Sequence, residues 1–391
     1  MTRRKFVLRL APGAGLLALC LLAPRLGAFQ SDLPASLTDK EFWELSERMS
    51  EPNGAFQSDN LLSNETALSS VAAALAQRVK SGGVYLGVGP EQNFTYIAAI
   101  RPRIAFINDI RRGNLHTHLM YKALFELSAD RAEFVSRLFT KKRPSGLTAT
   151  STAADLMNAY WDLPTSDEET YRQNLQDIQD LLVKKHGLPL SKEDLDGIGT
   201  VYHAFYWYGP RITYSSSTRG VNATGVSYAD LMMTRDSVSG AERSYLANDD
   251  AFAFLKAMQS KNLIVPLVGD FAGPKALRAV GAYVRERGAT ITAFYVSNVE
   301  SYLLRNNVWQ GFCANVATLP LEEGSVFIRP MGAGGATVVM GSVFVSATGI
   351  PVRNAILLNG VSVPPNQIIT PAPTGRGAPF GAMAMETAGC K

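Results

Sequence analysis

Apolar positions Phe42, Leu45 and Met49 recur at helical spacing over Asp39–Met49, and Thr38 stands where an N-cap would, with Glu41 three residues on as its capping-box partner. Pro52-Asn53-Gly54 breaks this first helix, and a polar run over residues 58–65 separates it from a second one predicted over about 66–79. Gly82-Gly83 stops the second helix. Val84-Tyr85-Leu86-Gly87-Val88 is then a short apolar run between glycines, which predicts a buried strand. Helical spacing returns over 91–100 and ends at Pro102. Ile104-Ala105-Phe106-Ile107 predicts a second buried strand closing at Asn108-Asp109, followed by a long amphipathic helix over about 113–139.

The order strand, helix, strand, helix with short connections predicts an α/β fold, a Rossmann-like, doubly wound and mostly parallel sheet covered on both faces. From about 145 to 240 the alternation lapses. Helices predicted over 168–186 and 192–207 and a Ser/Thr/Gly-rich loop over 215–225 read as an inserted helical region. The alternation resumes with a helix over 241–260, a strand over 263–268, a helix over 274–287 and a strand over 290–296. Pro266 lies inside one of these strands and marks it as an edge or a bulge. Val326-Phe327-Ile328 is a further strand. The segment 331–363 reads as a β-rich extension, and the Pro-, Gly- and Ala-rich residues 364–391 as an extended or disordered tail.

Composition adds an address. The 391 residues are 46% hydrophobic and 18% charged, enough to bury a large core. The formal charge is +4, but Arg3, Arg4, Lys5, Arg9 and Arg25 all fall within the first 28 residues, and without them 33 basic residues face 34 acidic ones. A nearly neutral body has no overall field for nucleic acid or anionic lipid. Residues 1–28 carry a basic start, an apolar stretch from Leu10 to Ala23 and Leu26-Gly27-Ala28 before a cleavage point. This pattern predicts an export signal, too short and too interrupted by Pro12, Gly13 and Gly15 to span a bilayer. Arg3-Arg4-Lys5-Phe6 resembles the twin-arginine form of such signals. The expected location is the periplasm or the exterior, where Cys313 and Cys390, two of the three cysteines, are able to pair.

Candidate chemistry gathers at predicted strand ends. Leu86-Gly87-Val88-Gly89-Pro90-Glu91 turns from the first strand into a helix, where glycines let a backbone approach a ligand and the helix start offers free N–H groups. Asp109 follows Gly89 by twenty residues at the end of the next strand, the place from which a carboxylate reaches ribose hydroxyls. A full GxGxxG is absent, so a plain strand-to-helix turn is the competing reading. Asp270 follows the 263–268 strand and is either a polar ligand contact or a cap for the next helix. The 269–276 stretch lacks the spacing and the Ser or Thr of a phosphate loop. Asp59, Asn60, Asn64 and Glu65, together with Tyr295 and Asn298 after the 290–296 strand, are placed at the mouth of the same crevice as substrate contacts, or else organise turns. His203 sits in an aromatic patch, 202–208, that floors a pocket or packs as core. His116 and His118 face different sides of their helix, and no zinc spacing or GxSxG elbow occurs.

The phrases Ser58-Asp59-Asn60-Leu61-Leu62-Ser63-Asn64-Glu65, Gly87-Val88-Gly89-Pro90-Glu91-Gln92-Asn93, Leu127-Ser128-Ala129-Asp130-Arg131, Gly269-Asp270-Phe271-Ala272-Gly273 and Tyr295-Val296-Ser297-Asn298 resemble a bacterial family whose fold is similar to that of class I S-adenosylmethionine-dependent methyltransferases. The resemblance covers about 39–329 and implies a Rossmann-like domain. It implies that Gly87, Gly89, Asp109 and Asp270 hold the adenosyl cofactor, and the enzyme reading adds Asn93 to them. Leu86 stands near the usual acidic position, Pro90 and Asn93 replace small residues, and the hairpin that ends a methyltransferase sheet is not evident. Two readings therefore stay open: a methyltransferase-like enzyme acting on a small molecule, or a binding or scaffold protein without the cofactor. A hydrolase built on Asp59 and Glu65 rests on their polarity alone.

Overall fold

The sheet has the strand order β3-β2-β1-β4-β5-β6, with strands β1 (Val84–Gly87), β2 (Ile104–Asp109), β3 (Ile264–Val268), β4 (Ile291–Tyr295), β5 (Val326–Ile328) and β6 (Phe380–Ala382). The computed structural model describes residues 31–214, 216, 225–329 and 380–383. The expected export signal, the 331–363 extension and the 364–391 tail other than 380–383 lie outside the described residues, as does Cys390; Cys313 is disulfide-bonded. The first five strands are parallel, and β6 pairs antiparallel with β5. Three residues of the segment expected to be a loose tail are thus a paired edge strand, because β5 offers them an open row of backbone groups.

β1 is flanked by β2 on one side and β4 on the other, so the winding reverses between β1 and β4. β1 to β4 are buried along their whole length, as expected of parallel strands with apolar runs covered on both faces. Pro266 is tolerated because β3 is an outer strand, where the missing N–H interrupts no ladder. Helix α1 (Asp39–Met49) and the residues after it cover this edge: Ser46 Oγ donates to the Pro266 carbonyl at 2.6 Å, Glu51 N donates to Val268 O at 2.7 Å, and Val268 N donates to Ser50 Oγ at 2.9 Å.

α2 (Leu68–Arg78) precedes β1, and α3 (Gln92–Ile100) joins β1 to β2. The helix predicted over 113–139 is two helices, α4 (Arg112–Leu127) and α5 (Arg131–Phe139). Asp130 makes the break: its side chain accepts from Glu133 N at 2.8 Å, the cap of a new helix. Between β2 and β3 the chain continues with α6 (Ala153–Trp161), α7 (Glu168–Asp180) running into a π turn at Leu181–Lys185, α8 (Lys192–Tyr208) and the short α9 (Tyr228–Met232). The helix expected over 241–260 starts only at Asp249, as α10 (Asp249–Ser260), because Asn248 caps it through Ala251 N at 2.9 Å. α11 (Ala276–Glu286) follows β3, and α12 (Val299–Arg305) and α13 (Trp309–Val316) follow β4.

Candidate functional site

The chain leaves β1 at Gly87 and bends through Val88, Gly89, Pro90 and Glu91 into α3. A Cβ on Gly87 would lie 2.0 Å from Asn93 Oδ1, so only glycine fits there. Gly89 has φ +75° and open space where a side chain would point. Asn93 shapes the bend. Its amide nitrogen lies 2.9, 3.1 and 2.7 Å from the carbonyls of Val88, Gly89 and Pro90, and its oxygen accepts from Tyr85 Oη at 2.8 Å. His118 Nε2 donates to Gly89 O at 2.9 Å from beneath, and its Nδ1 is buried without a partner. Burial depresses the His118 pKa to about 4, so its imidazole is neutral at neutral pH. Glu91 is wholly buried, and its carboxylate accepts from Ser63 N at 3.1 and 3.3 Å. Burial pushes its pKa up to about 7.

Glu65 lies where the end of β4 meets the start of α3. It accepts from Tyr295 Oη at 2.7 Å, Ser297 Oγ at 2.7 Å and Gln92 Nε2 at 3.0 Å. Gln92 also bonds Tyr96 and Ser63, so the network ties the 63–65 segment to both sides of the winding reversal. Desolvation raises the Glu65 pKa, while the Tyr295, Ser297 and Gln92 hydrogen bonds pull against it. Sequence spacing marked Glu65 and Tyr295, and the structure joins them directly. Gln92, Tyr96, Ser63 and Ser297 belong to the same network, although helix periodicity gave no reason to single them out. Asn64 and Asn298 are exposed, and the Asn298 carbonyl accepts from Ser301 Oγ at 2.7 Å.

Asp109 closes β2. Its carboxylate accepts from Arg111 N at 2.9 Å and from Arg111 Nε and Nη2 at 3.3 and 3.4 Å, both side chains being buried. Arg111 also donates to the Asp59 carbonyl, which places the 58–61 segment over the β2 end. Asn60 is held at φ 47°, with a buried Oδ1 that has no partner. Asp270 acts within its own turn, accepting from Ala272 N at 2.9 Å. The backbone donors around it go to Glu51, which accepts from Asp270 N, Lys275 N and Ala276 N at 3.2, 2.8 and 2.8 Å. The start of α11 thus receives a carboxylate from the chain itself, as its dipole favours. Arg111 and Glu51 were not legible as site residues, since each acts across a fold contact that no local pattern announces.

Beside Arg111 opens a cavity of about 540 Å³ between the start of α4 and one face of α8. Asp59, Arg111, His116, His203, Trp207 and Tyr208 help to line it. His116 Nε2 contacts Asp194 Oδ1 at 2.8 Å, and Arg112 Nε reaches the same oxygen at 2.6 Å. Burial lowers the His116 pKa, whereas Arg112 and His116 hold the Asp194 carboxyl well below the usual range. Gly197 is required in α8 because a Cβ there would lie 2.2 Å from His116 Nδ1. Of this lining the sequence singled out Asp59 as a ligand contact, and His203 as part of an aromatic patch. Among the described residues no group of three His, Cys, Asp or Glu side chains is disposed to hold a metal, and no helix is long and apolar enough to cross a membrane.

Residues 61–348 match the model of a family described as a domain of unknown function (DUF7790). No curated protein matches the chain.

Proposed function

The chain belongs to the DUF7790 family of domains of unknown function, and from that premise we propose that it binds a small adenosyl- or nucleotide-like molecule at the carboxyl ends of β1, β2 and β4, in the manner of class I methyltransferases. The observation that carries this reading is Gly89: a left-handed glycine with no atom near its absent side chain, at the end of a central strand where the winding reverses. In open α/β sheets that is where ligands lie. Asp109 stands at the end of the neighbouring strand, and its carboxylate keeps lone pairs beyond those that Arg111 takes. The antiparallel β6 beside β5 is compatible with a methyltransferase-like sheet end. In this reading S-adenosylmethionine supplies the methyl group, and the protein contributes position. Gly89 admits the ligand to the backbone, Asp109 accepts its hydroxyls, and Glu65 with Tyr295 orients the acceptor at the crevice mouth, since methyl transfer gains most from alignment.

A second reading is a binding protein without turnover, and Asn93 and Arg111 favour it, because the amide of one and the guanidinium of the other are already engaged within the chain. In both readings the protein acts outside the cytoplasm once residues 1–28 are removed; amino-terminal sequencing of the mature protein is expected to start at Phe29. Calorimetry and thermal unfolding with S-adenosylmethionine and its demethylated product test the first reading. A ligand at about 100 times its Kd adds roughly 2.7 kcal/mol. No stabilisation by either compound rejects the enzyme. Native mass spectrometry of protein exported by its own host then separates an adenosyl adduct from another guest.

A further inference from the structure

The cavity between α4 and α8 is separate from the glycine bend and has a different character. Trp207 is 63% exposed although it is one of the largest apolar side chains, and it stands on the cavity wall. Its ring is stacked on His203, with centroids 6.0 Å apart and planes inclined by 18°. His203 in turn meets Tyr171 and Tyr206. The indole is therefore held by an aromatic ladder on α7 and α8, so a guest stacking on it finds a surface already fixed in orientation. An exposed indole on the wall of a cavity of this volume, at the carboxyl end of a parallel strand, has the setting of a small-molecule site.

The charges around the cavity narrow the class of guest. Arg111 is committed to Asp109 and to the Asp59 carbonyl, and His116 is committed to Asp194. Asp59 is the one Asp, Glu, Lys or Arg of the described lining whose side chain has no ion pair, and it is exposed at the rim. Among the described lining residues, an anion would meet that carboxylate with no free cation to offset it. The Trp207 indole N–H and the Tyr208 hydroxyl, neither of them spent on another group among the described residues, are left to bond the edge of a ring.

We propose that this cavity is a binding site for an uncharged planar aromatic molecule carrying hydroxyl or carbonyl substituents, stacked on Trp207 and passing beside Asp59. The site is independent of the adenosyl reading, and either stands if the other fails.

The test is calorimetric titration of the full chain with 2-naphthol, with 2-naphthoate as its anionic counterpart. Saturable one-site binding of 2-naphthol is expected. Trp207→Ala removes an exposed side chain and leaves the fold intact; it should weaken binding about tenfold or more, the scale of a lost aromatic stack. 2-Naphthoate should bind roughly threefold more weakly than 2-naphthol, as befits a solvated carboxylate, and Asp59→Asn should close that gap. Absence of saturable 2-naphthol binding overturns the proposal, as does unchanged affinity in Trp207→Ala. Equal or tighter binding of 2-naphthoate by the unmodified chain overturns the assignment of an uncharged guest.

Discussion

Replacing Glu91 by Gln should change how stability depends on pH. Glu91 stands in the bend after β1 with no exposed surface, and its pKa is carried from an ordinary 4.5 to about 7 by burial. A carboxyl whose pKa is higher folded than unfolded stabilises the fold fully below the unfolded value and loses that contribution as pH rises through the folded one. The window is therefore about 4.5 to 7. At roughly 1.4 kcal/mol for each pKa unit, the whole loss is about 3 kcal/mol, most of it between about pH 4.5 and about pH 7. Gln cannot ionise and keeps an oxygen for Ser63 N. Urea denaturation of both proteins across this range should show the unmodified chain losing stability relative to Glu91→Gln as pH rises. A difference between the two that stays flat with pH would refute the argument that burial holds this proton.

His118 carries the opposite sign. Its pKa falls from 6.5 to about 4, so stability present above pH 6.5 is lost on acidification toward 4, and His118→Gln should remove up to about 3 kcal/mol of that acid-side loss in the same denaturation series. Gly87→Ala and Gly89→Ala should separate packing from access. The first drives a methyl into Asn93 and should cost about 1–3 kcal/mol in unfolding experiments. The second meets open space, costs about 1–2 kcal/mol for its left-handed backbone, and should abolish calorimetric binding of an adenosyl ligand while the protein still folds. Lys122 is buried and donates to Glu126 at 2.8 Å and to Asn262 at 2.5 Å; Glu126 keeps His186 and Lys185 as partners, so Lys122→Met should destabilise by about 1–3 kcal/mol at neutral pH, read from the urea midpoint. Tyr295→Phe should cost about 1–3 kcal/mol by leaving Glu65 short of a donor, and titration of Glu65 followed by NMR should move to higher pH.

The alternation of apolar runs and helical periods was enough to reach an α/β parallel sheet, because strands buried on both faces must be continuously apolar and their crossover helices amphipathic. Thr38 with Glu41 marked the start of α1, and Pro266 marked an edge or a bulge, of which the fold has the edge, each through a backbone constraint local to a few residues. Gly87 and Gly89 were legible for the same reason. The break at Asp130 and the late start of α10 at Asp249 were missed, since a side-chain cap competes with periodicity by an amount that a pattern does not weigh. Glu65 and Tyr295 were each marked in the sequence, but only the fold placed one oxygen 2.7 Å from the other across 230 residues. Arg111 on Asp109, Glu51 at the start of α11 and Trp207 beside the cavity were likewise decided by tertiary structure. Local backbone preference and hydrophobic period are written in consecutive residues. A buried ion pair or a cavity wall depends on which distant segments the packed core brings face to face.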